Sequence, residues 1–118
     1  MNSPAQLQKI LSQLPCIYGT KSIPTEEKII YLRFFIANCE WLIAEFDQKD
    51  EFFGFACLGD PEMAEWGYIS LSELKSIRTK ATIIDSNTGV LIGMLPIFVE
   101  WDQHFKPKPF SQIQLSAR

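Results

Sequence analysis

Leu7, Ile10, Leu11 and Leu14 recur three and four residues apart near the start of the chain, with polar residues between them. That spacing lays one apolar stripe along a helix. Ser3 suits the N-cap, Pro4 the first helical position, and Pro15 a stop, so a helix over 3–14 is predicted. One short amphipathic helix is marginal alone, and the stripe has to dock on the rest of the chain. The pattern changes at 29-IIYLRFFIANCEWLIAEFDQ-48, which is rich in β-branched and aromatic residues. It predicts strands at 29–36 and 40–47 with a break at Asn38. Strict alternation in the second would set Trp41, Ile43 and Glu45 on one face and Leu42, Ala44 and Phe46 on the other.

The polar run 47-DQKDE-51 reads as a turn and 52-FFGFACL-58 as a third strand pairing back on the second. Gly54 inside it marks a bulge or a close approach of another backbone. Gly59-Asp60-Pro61 signals another turn before a short strand at 66–71. Ser70 and Glu73 fit a capping box, Leu71, Leu74 and Ile77 form a stripe, and Lys75 and Arg78 sit near the end. A helix over 70–78 follows. A hairpin is predicted from 81-ATIID-85, the turn 86-SNTG-89 and 90-VLIGMLPIFVEW-101, with Gly93 and Pro96 bulging, bending or edging its long arm. The tail from Phe105 is extended by Pro107 and Pro109, with a short last element near 110–115. Sequential strands joined by short turns, with separate helices, predict an α+β fold. It has a mostly antiparallel sheet of about five to six strands and two or three short helices packed on it. One domain over 1–118 is expected, its N-terminal helix docked on a sheet core at 28–113.

The 118 residues include nine Phe, three Trp and three Tyr, and 47% are hydrophobic, which is ample for a packed core and argues against disorder. The net charge of −3 is unevenly spread. Residues 1–39 carry +2, residues 40–65 carry −7 and residues 66–118 carry +2. An acidic middle could meet a basic partner, although solvated turns and strand faces account for most such charge. The negative balance disfavours a nucleic-acid partner. Cys16, Cys39 and Cys57 are odd in number, widely spaced and without a CxxC, so neither a zinc finger nor a disulfide framework is expected. The first fifteen residues lack a basic start and a long apolar run, and no stretch reaches the length of a membrane span. A cytoplasmic protein with reduced thiols and no membrane association is the expectation.

Three stretches stand out together: 41-WLIAEFD-47, then 53-FGFACLGDPE-62 leading into 66-WGYISLSELKSIR-78, and 95-LPIFVEWDQHFKPKPFSQI-113. In combination they resemble an uncharacterised bacterial family catalogued as domain of unknown function 2958, over about residues 29–113. The loop 59-GDPEMAEWG-67 departs from that family's glycine-rich form, and 79-TKATIIDSNTG-89 looks like an insertion. The resemblance implies a bacterial protein, often of plasmids and other mobile elements, and implies no activity or cofactor.

The chain's one histidine lies in 99-VEWDQHF-105, where Glu100, Asp102 and His104 alternate. On a strand all three would share a face, and a divalent metal could take Glu100, Asp102 and His104 as ligands. Asp102 and His104 are also the candidate catalytic pair, Asp102 orienting the imidazole. Spacing argues against this, because neighbours about 6.5–7 Å apart along a strand converge poorly on one ion. In the plainer reading the three line a solvated strand face. A catalytic cysteine would need that same histidine, and no glycine-rich phosphate loop is present. Trp66, Trp101, Phe105, Lys106 and Lys108 form a candidate partner-binding set of aromatic and basic residues. The sequence therefore points first to a small non-enzymatic module with no cofactor that binds a protein partner. The alternative is a metal-dependent hydrolase or nuclease built on Glu100, Asp102 and His104.

Overall fold

The structure is a computed structural model and describes residues 5–115. In chain order the strands are β1 (Ile29–Ile30), β2 (Leu32–Ile36), β3 (Cys39–Phe46), β4 (Glu51–Leu58), β5 (Glu65–Ser70), β6 (Arg78–Ile84), β7 (Leu91–Phe98), β8 (Glu100–Trp101) and β9 (Lys108–Pro109). Helix α1 (Ala5–Gln13) precedes them and α2 (Leu71–Ser76) lies between β5 and β6. Single 3-10 turns occur at Thr25–Glu27, Pro61–Met63 and Phe110–Gln112. The fold is α+β with every strand pair antiparallel. The expected cap at Ser3 and Pro4 lies outside the described residues.

The central sheet has five strands in the order β5-β4-β3-β2-β8. Tight turns explain the meander: Ala37–Asn38 joins β2 to β3, with Ala37 at positive φ, and the Asp47 carboxylate accepts the N–H groups of Lys49, Asp50 and Glu51 in the next turn. Those three hydrogen bonds, led by that of Glu51, hold the Asp47 carboxyl below its ordinary value. As the middle strand, β3 is buried on both faces. On one face, Leu7 and Leu11 from the first helix, Leu14 just after it, and Leu71 and Leu74 from α2 pack on Phe34, Trp41, Ile43, Phe46 and Phe52. On the other, the C-terminal segment brings Phe105, Phe110, Ile113 and Leu115 over Ile30, Leu42, Ala44 and Cys57. Burying one such large apolar side chain stabilises by about 1.5–3 kcal/mol, so the three leucines anchor α1 despite its nine residues.

Two expectations are corrected. Alternation along β3 fails because its ladder with β4 pairs Ile43 with Gly54 and Glu45 with Phe53, leaving Ala44 as an extra residue. Phe46 thereby joins Trp41 and Ile43, and Glu45 turns to the opposite face beside Phe53. The second correction concerns the hairpin of β6 and β7. It does not extend the main sheet but forms a two-stranded sheet of its own. A compact chain of this length has a radius of gyration of about 13–14 Å. The observed 15.9 Å and extents of 55 × 31 × 22 Å are those of an elongated molecule, and β6 and β7, which pack chiefly on each other, form an arm apart from the main sheet. Two α-helices occur among the described residues, and none is long and apolar enough to cross a membrane.

Candidate functional site

The segment holding the histidine is not one strand. β8 ends at Trp101, because beyond its short pairing with Phe34 and Phe35 the chain turns: the Phe105 N–H donates to the Asp102 carbonyl at 3.2 Å. Glu100 and His104 are exposed, while Asp102 is partly buried. One carboxylate oxygen of Asp102 accepts from Arg33 Nη1 at 3.2 Å, and the other accepts the backbone N–H of His104 at 3.1 Å. Arg33 also donates through Nε to the buried carboxylate of Glu40 at 2.8 Å and lies over the Phe35 ring. Asp102 is thus one end of an acid–Arg–acid bridge that ties the chain's return to β2. Glu100 and Asp102 stand on one side, opposite Phe35 and Arg33, with the Asp102 N–H donating to the Arg33 carbonyl at 2.9 Å, whereas His104 lies in the turn that follows and does not extend that face. Among the described residues no group of three or more His, Cys, Asp and Glu side chains lies where it could hold a metal ion.

These residues do border a cleft of about 630 Å³ at the root of the arm, together with Phe35, Phe98 and Trp101. Trp101 is half-buried against the core face that carries the helices. Trp66 and Phe105 belong to the opposite face. There Trp66 packs against Phe110 at 5.0 Å and Phe53 at 5.6 Å, and Lys108 reaches over Phe105. Lys106 is exposed beside them. The predicted aromatic and basic set is therefore divided between two faces.

A second pocket, of about 350 Å³, lies over the β3 bulge between Tyr18, Phe53 and Tyr68, with Glu45 and Lys28 at its floor. Both charges are buried. Glu45 accepts the backbone N–H groups of Tyr18 (2.9 Å) and Thr20 (3.0 Å) and the Thr20 hydroxyl. The Lys28 ammonium donates to the carbonyl and hydroxyl of the same threonine. Thr20 thus joins two opposite buried charges, as burial of either requires. The Tyr68 phenol is pushed up to about 12, first by its hydrogen bond with Tyr18 and then by desolvation. Glu45, Thr20 and Lys28 bond one another and the backbone of residues 18–20, so the pocket floor reads as a structural clasp for residues 18–28.

The feature that sequence reasoning missed is the arm. Eight of the thirteen large exposed hydrophobic residues among the described residues lie in it: Ile83, Ile84, Val90, Leu91, Ile92, Met94, Leu95 and Phe98. Ile92 is 65% exposed and Leu95 55%. Residues directly opposite in an antiparallel ladder share a face. The register therefore puts Thr79, Ile97, Ala81, Leu95, Ile83 and Gly93 on one side, with no ionisable group. Arg78, Phe98, Lys80, Pro96, Thr82 and Met94 occupy the other, where the Arg78 guanidinium lies over Phe98. The uncharged side runs without interruption into the core, because Ile97 packs on the buried cluster and Val99 is part of it. The signal was present in 90-VLIGMLPIFV-99, ten residues without a charge.

A protein-family model described as "Protein of unknown function (DUF2958)" matches residues 20–88, more than half of the chain. The match takes in 79–88, which had looked like an insertion, and stops short of the 95–113 block with Glu100, Asp102 and His104. No curated protein and no solved structure matches the chain.

Proposed function

The chain belongs to the DUF2958 family, and we propose that it is a non-enzymatic module that binds another polypeptide through the β6–β7 arm. One observation carries this reading: an apolar two-stranded ribbon standing clear of the body with eight large hydrophobic side chains exposed. Isolated two-stranded ribbons are barely stable in water, and contiguous exposed apolar surface marks interaction sites. The aromatic and basic residues first favoured as a partner surface lie largely within the body's own packing. The hydrolase alternative has less support, because Asp102 is held by Arg33 and by its own turn. Cys16 is exposed, and it, Cys39 and Cys57 are all free thiols, which fits action in the reducing cytoplasm.

Photo-cross-linking tests the proposal. A benzophenone amino acid placed at Leu95 should give polypeptide adducts, whereas one at the exposed Lys9 of α1 should not. Equal yields at the two positions, with both near background, would refute the arm as a binding surface.

A further inference from the structure

The two strands of the arm differ at their outer edges. Strand β7 is blunted there, carrying Pro96 and an unpaired extra residue at Ile92, between the Ile83–Gly93 and Ile84–Leu91 pairs. Strand β6 has neither interruption, and among the described residues it pairs with β7 alone. Its backbone orientation follows from the turn, where the Asp85 N–H donates to the Val90 carbonyl at 2.9 Å. Stepping back by twos from that pair makes Ile83, Ala81 and Thr79 the residues that bond inward to β7. The proline agrees, because Pro96 has no N–H to give and faces Lys80 in a wide pair. Arg78, Lys80 and Thr82 therefore turn their own N–H and C=O groups outward.

This open edge is also positively charged. Between Arg78 and Phe98 the ionisable residues are Arg78, Lys80 and Asp85. Asp85 sits at the turn, where its carboxylate accepts the Asn87 N–H at 2.8 Å. Strand β6 itself carries two cations and no acid, both exposed and both on one side of the ribbon. Among the described residues ion pairs join Arg33 to Glu40 and to Asp102, and neither Arg78 nor Lys80 takes part in one.

We infer that the β6 edge is completed by an extended segment of another polypeptide, with acidic residues at alternate positions and apolar residues between them. The inference rests on the arm being the binding surface and names the chemistry of its partner. An added strand bonds to the outward N–H and C=O groups of β6, so the main chain supplies affinity and the side chains supply selection. Acids facing Arg78 and Lys80 each oppose one cation and lie diagonal to the other. The residues between them fall on the uncharged side, with Thr79, Ala81 and Ile83. A strand bearing cations is repelled, and a second copy of β6 is such a strand; lysine at an open edge is a common guard against self-pairing. A third strand also brings the ribbon to the size at which a sheet becomes stable.

Fluorescence anisotropy tests this with two labelled peptides as long as β6, one alternating glutamate with valine and the other lysine with valine. The wild type should bind the glutamate peptide with a dissociation constant on the order of 10 micromolar, about tenfold more tightly than the lysine peptide. Lys80→Glu should abolish that preference, since one cation and one acid then remain on the edge. Thr82→Pro removes an outward N–H without breaking a bond inside the hairpin, so it should weaken the glutamate peptide about tenfold with an unchanged far-UV circular dichroism spectrum. If Thr82→Pro loses its fold, Lys80→Glu carries the test alone. A wild type that binds neither peptide, or both equally, overturns the inference, as does a Lys80→Glu protein that keeps the preference. Binding of a labelled single-stranded oligonucleotide in place of the glutamate peptide overturns it too. If Leu95 still forms polypeptide adducts in any of those events, the acidic strand is refuted and the arm reading stands. If it forms none, both fall.

Discussion

Gly54 and Gly67 face each other across the β4–β5 ladder, yet replacing each with alanine should have opposite effects. A methyl group on Gly54 would collide with the Leu42 carbonyl oxygen, with Leu42 C at 3.0 Å and Ile43 Cα at 3.1 Å close behind. All three obstacles are backbone atoms of the central strand, so no side chain can rotate away. Overpacking a core costs about 1–3 kcal/mol, and a rigid obstacle puts Gly54→Ala near the top of that range, about 3 kcal/mol. At Gly67 nothing lies within 4 Å of the new methyl. There alanine mainly restricts the unfolded chain, which stabilises by about 0.4–1 kcal/mol. The two variants should differ by roughly 3.5 kcal/mol. With a denaturant slope of about 1.5 kcal/mol per molar urea, that is a gap of about 2 M between midpoints. Urea unfolding followed by circular dichroism measures it directly. Midpoints within about 0.3 M of each other, at equal slopes, would refute the argument that β3 and β4 touch backbone to backbone at Gly54.

Glu45→Gln keeps the shape of the side chain but turns an amide donor toward backbone N–H groups, so it should cost about 2–3 kcal/mol in urea unfolding; a loss under 0.5 kcal/mol would mean that the carboxylate does not organise residues 18–20. The Asp50 carboxyl is held below its ordinary value, first by the Ser70 hydroxyl and then by the N–H and hydroxyl of Ser72. A depressed folded value gives stability that is present above the unfolded value near 3.9 and fades as pH falls through the lower folded one. The urea midpoint should therefore drop below pH 4, and drop less in Asp50→Asn; equal acid sensitivity of the two proteins would contradict this. Thermal unfolding after EDTA should show no change on adding Zn²⁺, Mn²⁺ or Mg²⁺. A rise with metal that His104→Ala abolishes would instead establish a metal site in the 99–105 segment.

Local signals were legible wherever local forces decide the structure. The N-cap half of the capping box forms: the Ser70 hydroxyl accepts the Glu73 N–H at 3.2 Å, and α2 starts one residue later. The stripe Leu7, Leu11 and Leu14 docks as its spacing requires, and the β2–β3–β4 meander follows from its turns. The failures share a physical cause, which is that the deciding partner is distant in sequence. His104 leaves the expected strand face because the chain turns after Asp102, whose N–H and carboxylate are held by Arg33, 69 positions away. Glu45 changes face because one extra residue enters the ladder at Ala44, and apolar residues flanking it on both sides hide the slip. The acidic middle also loses its apparent meaning. Of its eight carboxylates, Glu40 bonds Arg33, Glu45 bonds residues 18 and 20, and Asp47, Asp50 and Asp60 accept N–H groups in turns or at a helix start. Most of that charge is employed by the fold, leaving little for a basic partner.

The arm was hidden for a different reason. Alternation tells inside from outside only when one face is wet and polar, and this ribbon is apolar on one face and mixed on the other. From sequence, 90-VLIGMLPIFV-99 is indistinguishable from a buried strand of the main sheet. Such a strand would need neighbours on both edges, or a layer above and below. Here β7 has one neighbour, β6, and the pair lies outside the five-stranded sheet. A segment with the composition of a core strand and no core to enter is what an obligate contact surface looks like in a single copy. On the reading proposed above, the polypeptide that binds the arm would supply the missing layer.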